Sequence, residues 1–180
     1  FILRGLEKAG LKPTPEADRR RLIRRVFFTL HGLLPTPEQM QRYVEDERED
    51  WYASMVEDLL ASPRYGERWA RHWLDIVRYA ETTGFETNVP RPNAYHYRDY
   101  VIRAFNKDRP YDQFILDQIA GDYTGQDPAT GFLVAGAHDT VSSPDPVLTA
   151  MQRSNELADM VNITSTAFMG LTVACAQCHH

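Results

Sequence analysis

Cysteine is nearly absent: the 180 residues contain two, and both fall within the last six positions. A chain of this length can bury a real core without cross-links, so stability must come from packing. No run of 18 apolar residues occurs, which excludes a membrane-spanning helix of the usual kind, so an integral membrane protein is not expected. No stretch alternates convincingly with period two, and no repeat or low-complexity tract stands out. Positive charge is not in excess either. The net charge is −5 with basic residues spread throughout, so a nucleic-acid-binding face is not expected. The one dense basic run, Arg19, Arg20, Arg21, Arg24 and Arg25, reads as the solvated side of an amphipathic helix. No nucleophile, base and orienting group cluster together, since Asp75, Glu81 and Glu86 near His72 read as helix charges and loop polar residues. There is no signal peptide and no initial methionine, so the chain reads as a piece of a longer protein.

Helical periodicity is abundant. Phe1 to Ala9 forms a short helix ended by Gly10, and Thr14-Pro15-Glu16 signals the start of the next, which carries Leu22, Ile23, Val26, Phe27 and Leu30 up to Gly32. Thr36-Pro37-Glu38 repeats that signal, and Trp51, Tyr52, Met55, Val56, Leu59 and Leu60 mark a further helix. From Pro63 to Ala80 the apolar set is Tyr65, Trp69, Trp73, Ile76, Val77 and Ala80. His72 lies three residues from Trp69 and four from Ile76, so it is expected to face inward, as a hydrogen-bonded core histidine or as part of a ligand pocket.

Residues 82–92 contain Gly84, Pro90 and Pro92 and read as a loop with a functional role. Asn93 caps a helix with Tyr97, Tyr100, Val101 and Phe105 inward, and Pro110 opens another with Phe114, Ile115 and Ile119 packed and Gly121 closing it. Residues 131–137 are ambiguous between strand and helix. From Val147 the stripe Leu157, Met160, Val161, Thr164, Phe168, Leu171, Cys175 predicts a last helix carrying the cysteines at its end. The expected fold is therefore all-α, six or seven helices with long loops in a single domain over residues 1–180, with residues 1–50 as a helical arm and residues 147–180 as the final helix.

Cys175-Ala176-Gln177-Cys178-His179 has the spacing of a c-type haem attachment site: two thiols three apart can each add to one porphyrin vinyl group, and His179 can then ligate the iron. Two cysteines fall three apart by chance in roughly one arrangement in a hundred. A zinc half-site or a disulfide uses the same atoms, while a thioredoxin-type redox pair would need an alternating strand and helix pattern that is missing. The two axial ligands of a haem lie on opposite faces, so the second should come from another element than the one bearing His179, which argues against Met160 and Met169. His72 is the first candidate for iron ligation or pocket lining, with His96, His138 and His180 behind it. Trp69, Trp73 and Phe168 would wall the pocket, and Arg71 or Arg78 would pair with a propionate.

The stretches Arg68-Trp69-Ala70-Arg71-His72-Trp73-Leu74-Asp75, Arg91-Pro92-Asn93-Ala94-Tyr95, Leu60-Ala61-Ser62-Pro63-Arg64-Tyr65-Gly66-Glu67 and Pro110-Tyr111-Asp112-Gln113-Phe114, with Gly170-Leu171-Thr172-Val173 before the cysteines, carry a family pattern. In these the chain resembles the planctomycete-type cytochrome c-like family, a domain of unknown function within larger exported multidomain proteins. Leu34 stands where that family often has proline, His31 and His138 lie outside its pattern, and His180 replaces its Asp-His-Lys. The resemblance implies one covalent haem c at Cys175, Cys178 and His179 and an exported protein, periplasmic or at the cell surface, whose partners are further domains of the same polypeptide and a redox protein. Electron transfer is the expected function. A haem enzyme with an open sixth position, or a non-redox helical scaffold with zinc or a disulfide at the cysteines, are the alternatives.

Overall fold

The structure, a computed structural model, describes residues 1–141 and 143–178. Among these the fold is all-α: α1 (Ile2–Lys8), α2 (Arg19–His31), α3 (Pro37–Val44), α4 (Trp51–Leu60), α5 (Pro63–Ile76), α6 (Tyr95–Asn106), α7 (Tyr111–Thr124) and α8 (Pro146–Met169), with 3-10 helices at Asp127–Val134 and Ala174–Gln177. The helices outnumber the six or seven expected, and residues 131–137 resolve in favour of helix through the first 3-10 segment. The chain packs as two compact units, Phe1–Leu59 and Leu60–His180.

The first unit takes in the stretch read as an arm and has its own core of Ile23, Phe27, Tyr43, Met55 and Leu59. It starts α2 later than the Thr14-Pro15 signal suggests, because the Asp18 carboxylate accepts the Arg21 amide hydrogen bond and becomes the cap. Thr36 and Gln39 form a reciprocal capping box on α3. Arg19 leaves the solvated basic run, its guanidinium 4.0 Å from the Trp51 ring centroid and its Nε donating to the Tyr43 carbonyl. His31 is buried, with Nε2 2.9 Å from the Leu59 carbonyl.

In the second unit α5, α6, α7 and the 3-10 segment Asp127–Val134 surround Trp73, Tyr97, Tyr100, Val101, Phe114 and Phe132. Helices α5 and α6 cross where Gly66 leaves no side chain: a Cβ there would stand 2.5 Å from the Ile102 carbonyl oxygen. Asn106 closes the crossing, accepting from the Gly66 amide and donating to the Pro63 carbonyl. Gly131 allows the same closeness to α6, a Cβ there falling 2.7 Å from that of Tyr97.

The core is not purely apolar. Trp73 Nε1 donates to Gln118 Oε1 at 2.8 Å and to the Tyr97 hydroxyl at 3.0 Å, and that hydroxyl donates to Gln118 at 2.6 Å. Neighbouring Asp117 accepts from Tyr100 at 2.8 Å and from Arg109. Helix α7 therefore turns Asp117 and Gln118 inward and leaves Ile119, expected to pack, half exposed. It also runs past the expected stop at Gly121 to Thr124, kinked at Ala120. No helix among the described residues is long and apolar enough to cross a membrane.

Candidate functional site

Asp145 caps α8 by accepting from the Val147 amide at 2.8 Å, and Pro146 occupies its first turn. The helix does not reach the cysteines. Gly170, at φ 65°, closes it, with the Gly170 amide on the Thr166 carbonyl and the Leu171 amide on that of Ser165. The expectation of cysteines riding at the end of the last long helix is thus corrected: glycine adopts the left-handed conformation without steric strain and ends the helix at Met169, six residues before Cys175.

Cys175 sits instead within the separate 3-10 turn Ala174–Gln177, and Cys178 caps it, its amide donating to the Cys175 carbonyl at 3.2 Å. Both thiols are exposed and free. Gln177 holds the turn against α8, its Nε2 donating to Asn155 Oδ1 at 2.7 Å. His179 and His180 lie outside the described residues. Among the described residues no group of three or more His, Cys, Asp or Glu side chains is arranged to hold a metal ion.

The same helix forms one wall of a cleft of about 980 Å³. Its other walls are the loop after α5, the start of α6 and the segment from Asp127 to His138. Tyr97, Phe132, Met160 and Ile163 make it largely apolar, and its charges are of both signs, Arg78, Arg91 and Arg153 beside Asp127, Glu156 and Asp159, with Arg78 paired to Asp159 and Arg153 to Glu156. The loop over residues 82–92 is built into this wall: Arg91 donates to the Ala135 and Gly136 carbonyls at 3.1 and 2.8 Å, and the His138 amide donates to the Thr83 carbonyl. His138 Nδ1 lies 2.7 Å from Glu156 Oε1 on α8, and Arg153 holds the other oxygen of Glu156 at 3.1 Å. Burial and the carboxylate of Glu81 push the Tyr79 phenol up to about 12, so it lines the cleft as a neutral hydroxyl.

The residues singled out from sequence fall into separate pairs, Trp69 with His72 and Trp73 with Phe168, the latter two rings 5.7 Å apart. His72 is exposed, contrary to the inward orientation expected, with its ring 5.2 Å from that of Trp69. The buried stripe of α5 is Gly66, Ala70, Trp73 and onward to Val77, and His72 falls a third of a turn off it. Trp69 is half buried beside Tyr65, its buried indole nitrogen lacking a hydrogen-bond partner among the described residues. Trp73 belongs to the core and to a small pocket of about 210 Å³ with Phe105, Arg109 and Phe114, not to the large cleft. Phe168 packs on Phe132, and Arg78 enters the cleft paired with Asp159, whereas Arg71 is exposed. His96 and His138 both reach the cleft. Sequence reading missed the cleft itself because its walls come from positions as far apart as 78 and 163. A family model, PSCyt2, described as a protein of unknown function (DUF1549), matches residues 1–180. No curated protein and no solved structure matches the chain.

Proposed function

The chain belongs to this PSCyt2 family of unknown function, and from that premise we propose that it is a c-type cytochrome domain, carrying one covalent haem and passing electrons within a larger exported protein. The observation that carries the reading is the cysteine turn: Cys175 and Cys178 are free, exposed and three apart, one within a 3-10 turn and the other capping it, immediately before His179. Each thiol would add across one vinyl group, its sulfur bonding to one carbon and its hydrogen passing to the other, which leaves no by-product and needs no oxidant. His179, the next residue in the sequence, would supply an imidazole to the iron.

Bound there, the haem supplies a one-electron iron couple. The chain's own part is to hold it. The Gly170 stop frees the cysteine segment from α8, the Gln177–Asn155 bond ties it back, and thioether attachment keeps the group in place outside the cytoplasm, where such attachment takes place. Export, with partner domains of the same polypeptide and a redox protein as electron source and sink, belongs to the same proposal.

The test is a pyridine haemochrome spectrum together with intact mass, on protein matured with haem-attachment machinery. A c-type band and the added mass of one haem support the reading, and both should disappear in a Cys175→Ala, Cys178→Ala double variant. An unmodified mass and a colourless protein would overturn it. Resistance of the loaded protein to carbon monoxide and cyanide separates electron transfer from chemistry at an open iron position.

A further inference from the structure

We propose that the small pocket between α5, α6 and α7 is an aromatic cage for one quaternary, methylated ammonium group. Tyr65 and Trp73 from α5, Phe105 from α6, and Tyr111 and Phe114 from α7 give its lining five rings. Phe114 stands across two of the others, its plane at 72° to Trp73 and 70° to Phe105, with centroids 5.0 and 6.2 Å away. Rings set across one another leave a corner between them, whereas stacked rings would fill it. The face of each ring carries partial negative charge and attracts a cation that comes against it. At about 210 Å³ the pocket is smaller than the roughly 300–1,000 Å³ of sites for drug-sized ligands, and it has room for one compact head group.

Charge decides what suits it. Arg109 lines the pocket, but its Nε and Nη2 are both on the fully buried Asp117 carboxylate, so that pair is neutral as a unit. What remains is Asp108, exposed at the pocket and in no ion pair among the described residues, which leaves the lining one negative charge. Asp108 comes there on an uncommon backbone. Its φ is 45°, with its amide on the Phe105 carbonyl at 3.1 Å and the Arg109 amide on that of Ala104 at 3.0 Å, a helix-ending turn that glycine usually makes. An aspartate in that place adds a carboxylate to an aromatic lining. Besides Asp108 and two tyrosine hydroxyls, the lining side chains offer no hydrogen-bond acceptor, so a primary ammonium would leave N–H donors unpaired. A quaternary ammonium has no N–H to satisfy and presents its charge through methyl groups. The pocket shares no residue with the cysteine segment, so its ligand is independent of haem attachment.

The experiment is isothermal titration calorimetry on the full chain with tetramethylammonium, choline, a peptide carrying one trimethyllysine, and the uncharged alcohol in which carbon replaces the choline nitrogen. Expected are saturable one-to-one binding of tetramethylammonium and choline, about tenfold weaker binding of the alcohol, and a similar weakening of choline in Asp108→Asn and in Tyr111→Ala. Asparagine tolerates the left-handed turn and Tyr111 is 57% exposed, so both variants should fold, which a thermal melt checks. Choline bound more tightly than the peptide identifies a free small cation as the ligand, the reverse identifies a methylated protein chain, and both support the cage. Absence of saturable binding by all three cations overturns it. So does an alcohol that binds as well as choline, or choline binding that neither variant weakens.

Discussion

Arg109 grips Asp117 at two points, Nε on Oδ2 and Nη2 on Oδ1, and the carboxylate so held has no solvent exposure. The Tyr100 hydroxyl supplies a further donor at 2.8 Å. Breaking a buried pair from one side leaves an uncompensated charge, which costs about 3–5 kcal/mol. Because the Arg109 side chain is 31% exposed, water can partly replace it, and Arg109→Ala should fall at the lower end of that range. Arg109→Lys restores charge without the two-point geometry and should lie between. Urea unfolding midpoints at pH 7 measure the order, and equal midpoints for all three proteins would contradict it.

The same carboxylate sets a pH dependence. Burial pushes the Asp117 carboxyl up, but hydrogen bonds from Arg109, Tyr100 and Thr124 outweigh it and hold the group below its ordinary value of 3.8. A carboxyl lowered on folding contributes stability that is fully present above its unfolded value and is lost as pH falls through the folded one. The second unit should therefore keep this contribution at pH 5 and lose it progressively below about pH 4. Asp117→Asn should be less stable at pH 7 and show a shallower loss between pH 5 and pH 3. Parallel curves for the two proteins would rule out the ionised pair.

The α5–α6 crossing makes a steric prediction. A methyl at Gly66 would stand 2.5 Å from the Ile102 carbonyl oxygen and 2.6 Å from the Asn106 side chain, and a backbone atom cannot step aside as a side chain can. Gly66→Ala should cost about 1–3 kcal/mol despite its better helix propensity. Gly5→Ala, where nothing lies within 4 Å, is the control and should be neutral or stabilising. A thermal melt that ranked them the other way would deny the close contact.

That crossing also explains what periodicity could and could not disclose. The Ile23 and Phe27 stripe and the Thr36 and Ser62 caps are local, so short-range pattern finds them. His72 looked inward because large residues flank it at helical spacing, yet α5 is phased by Gly66 and Ala70, small residues that mark a tight contact and score weakly as hydrophobic. Asp117 and Gln118 are buried because Arg109, Tyr100, Tyr97 and Trp73 satisfy them, and those partners lie from 8 to 45 positions away. For the site, the cysteine spacing is local and was plain, whereas the pairing of His138 with Glu156 spans 18 positions and needed the fold.

Arg78 follows the end of α5 at φ 55°, where the Tyr79 amide bonds back to the Leu74 carbonyl, a helix-ending turn that glycine usually makes. A left-handed L-residue costs roughly 1–2 kcal/mol. What arginine adds there is its ion pair with Asp159 across the cleft, but the two side chains are 48% and 39% exposed, so the pair is worth at most about 1 kcal/mol. Arg78→Ala keeps the strain and loses the pair, and should be slightly less stable than the parent. Arg78→Gly also loses the pair but relieves the strain, against about 0.5–1 kcal/mol of extra unfolded-chain entropy. The glycine variant should thus exceed the alanine variant by about 0.5–1 kcal/mol in urea unfolding. Equal stability would mean that residue 78 does not hold the left-handed conformation, and Arg78 would then lose its reason for entering the cleft from that corner.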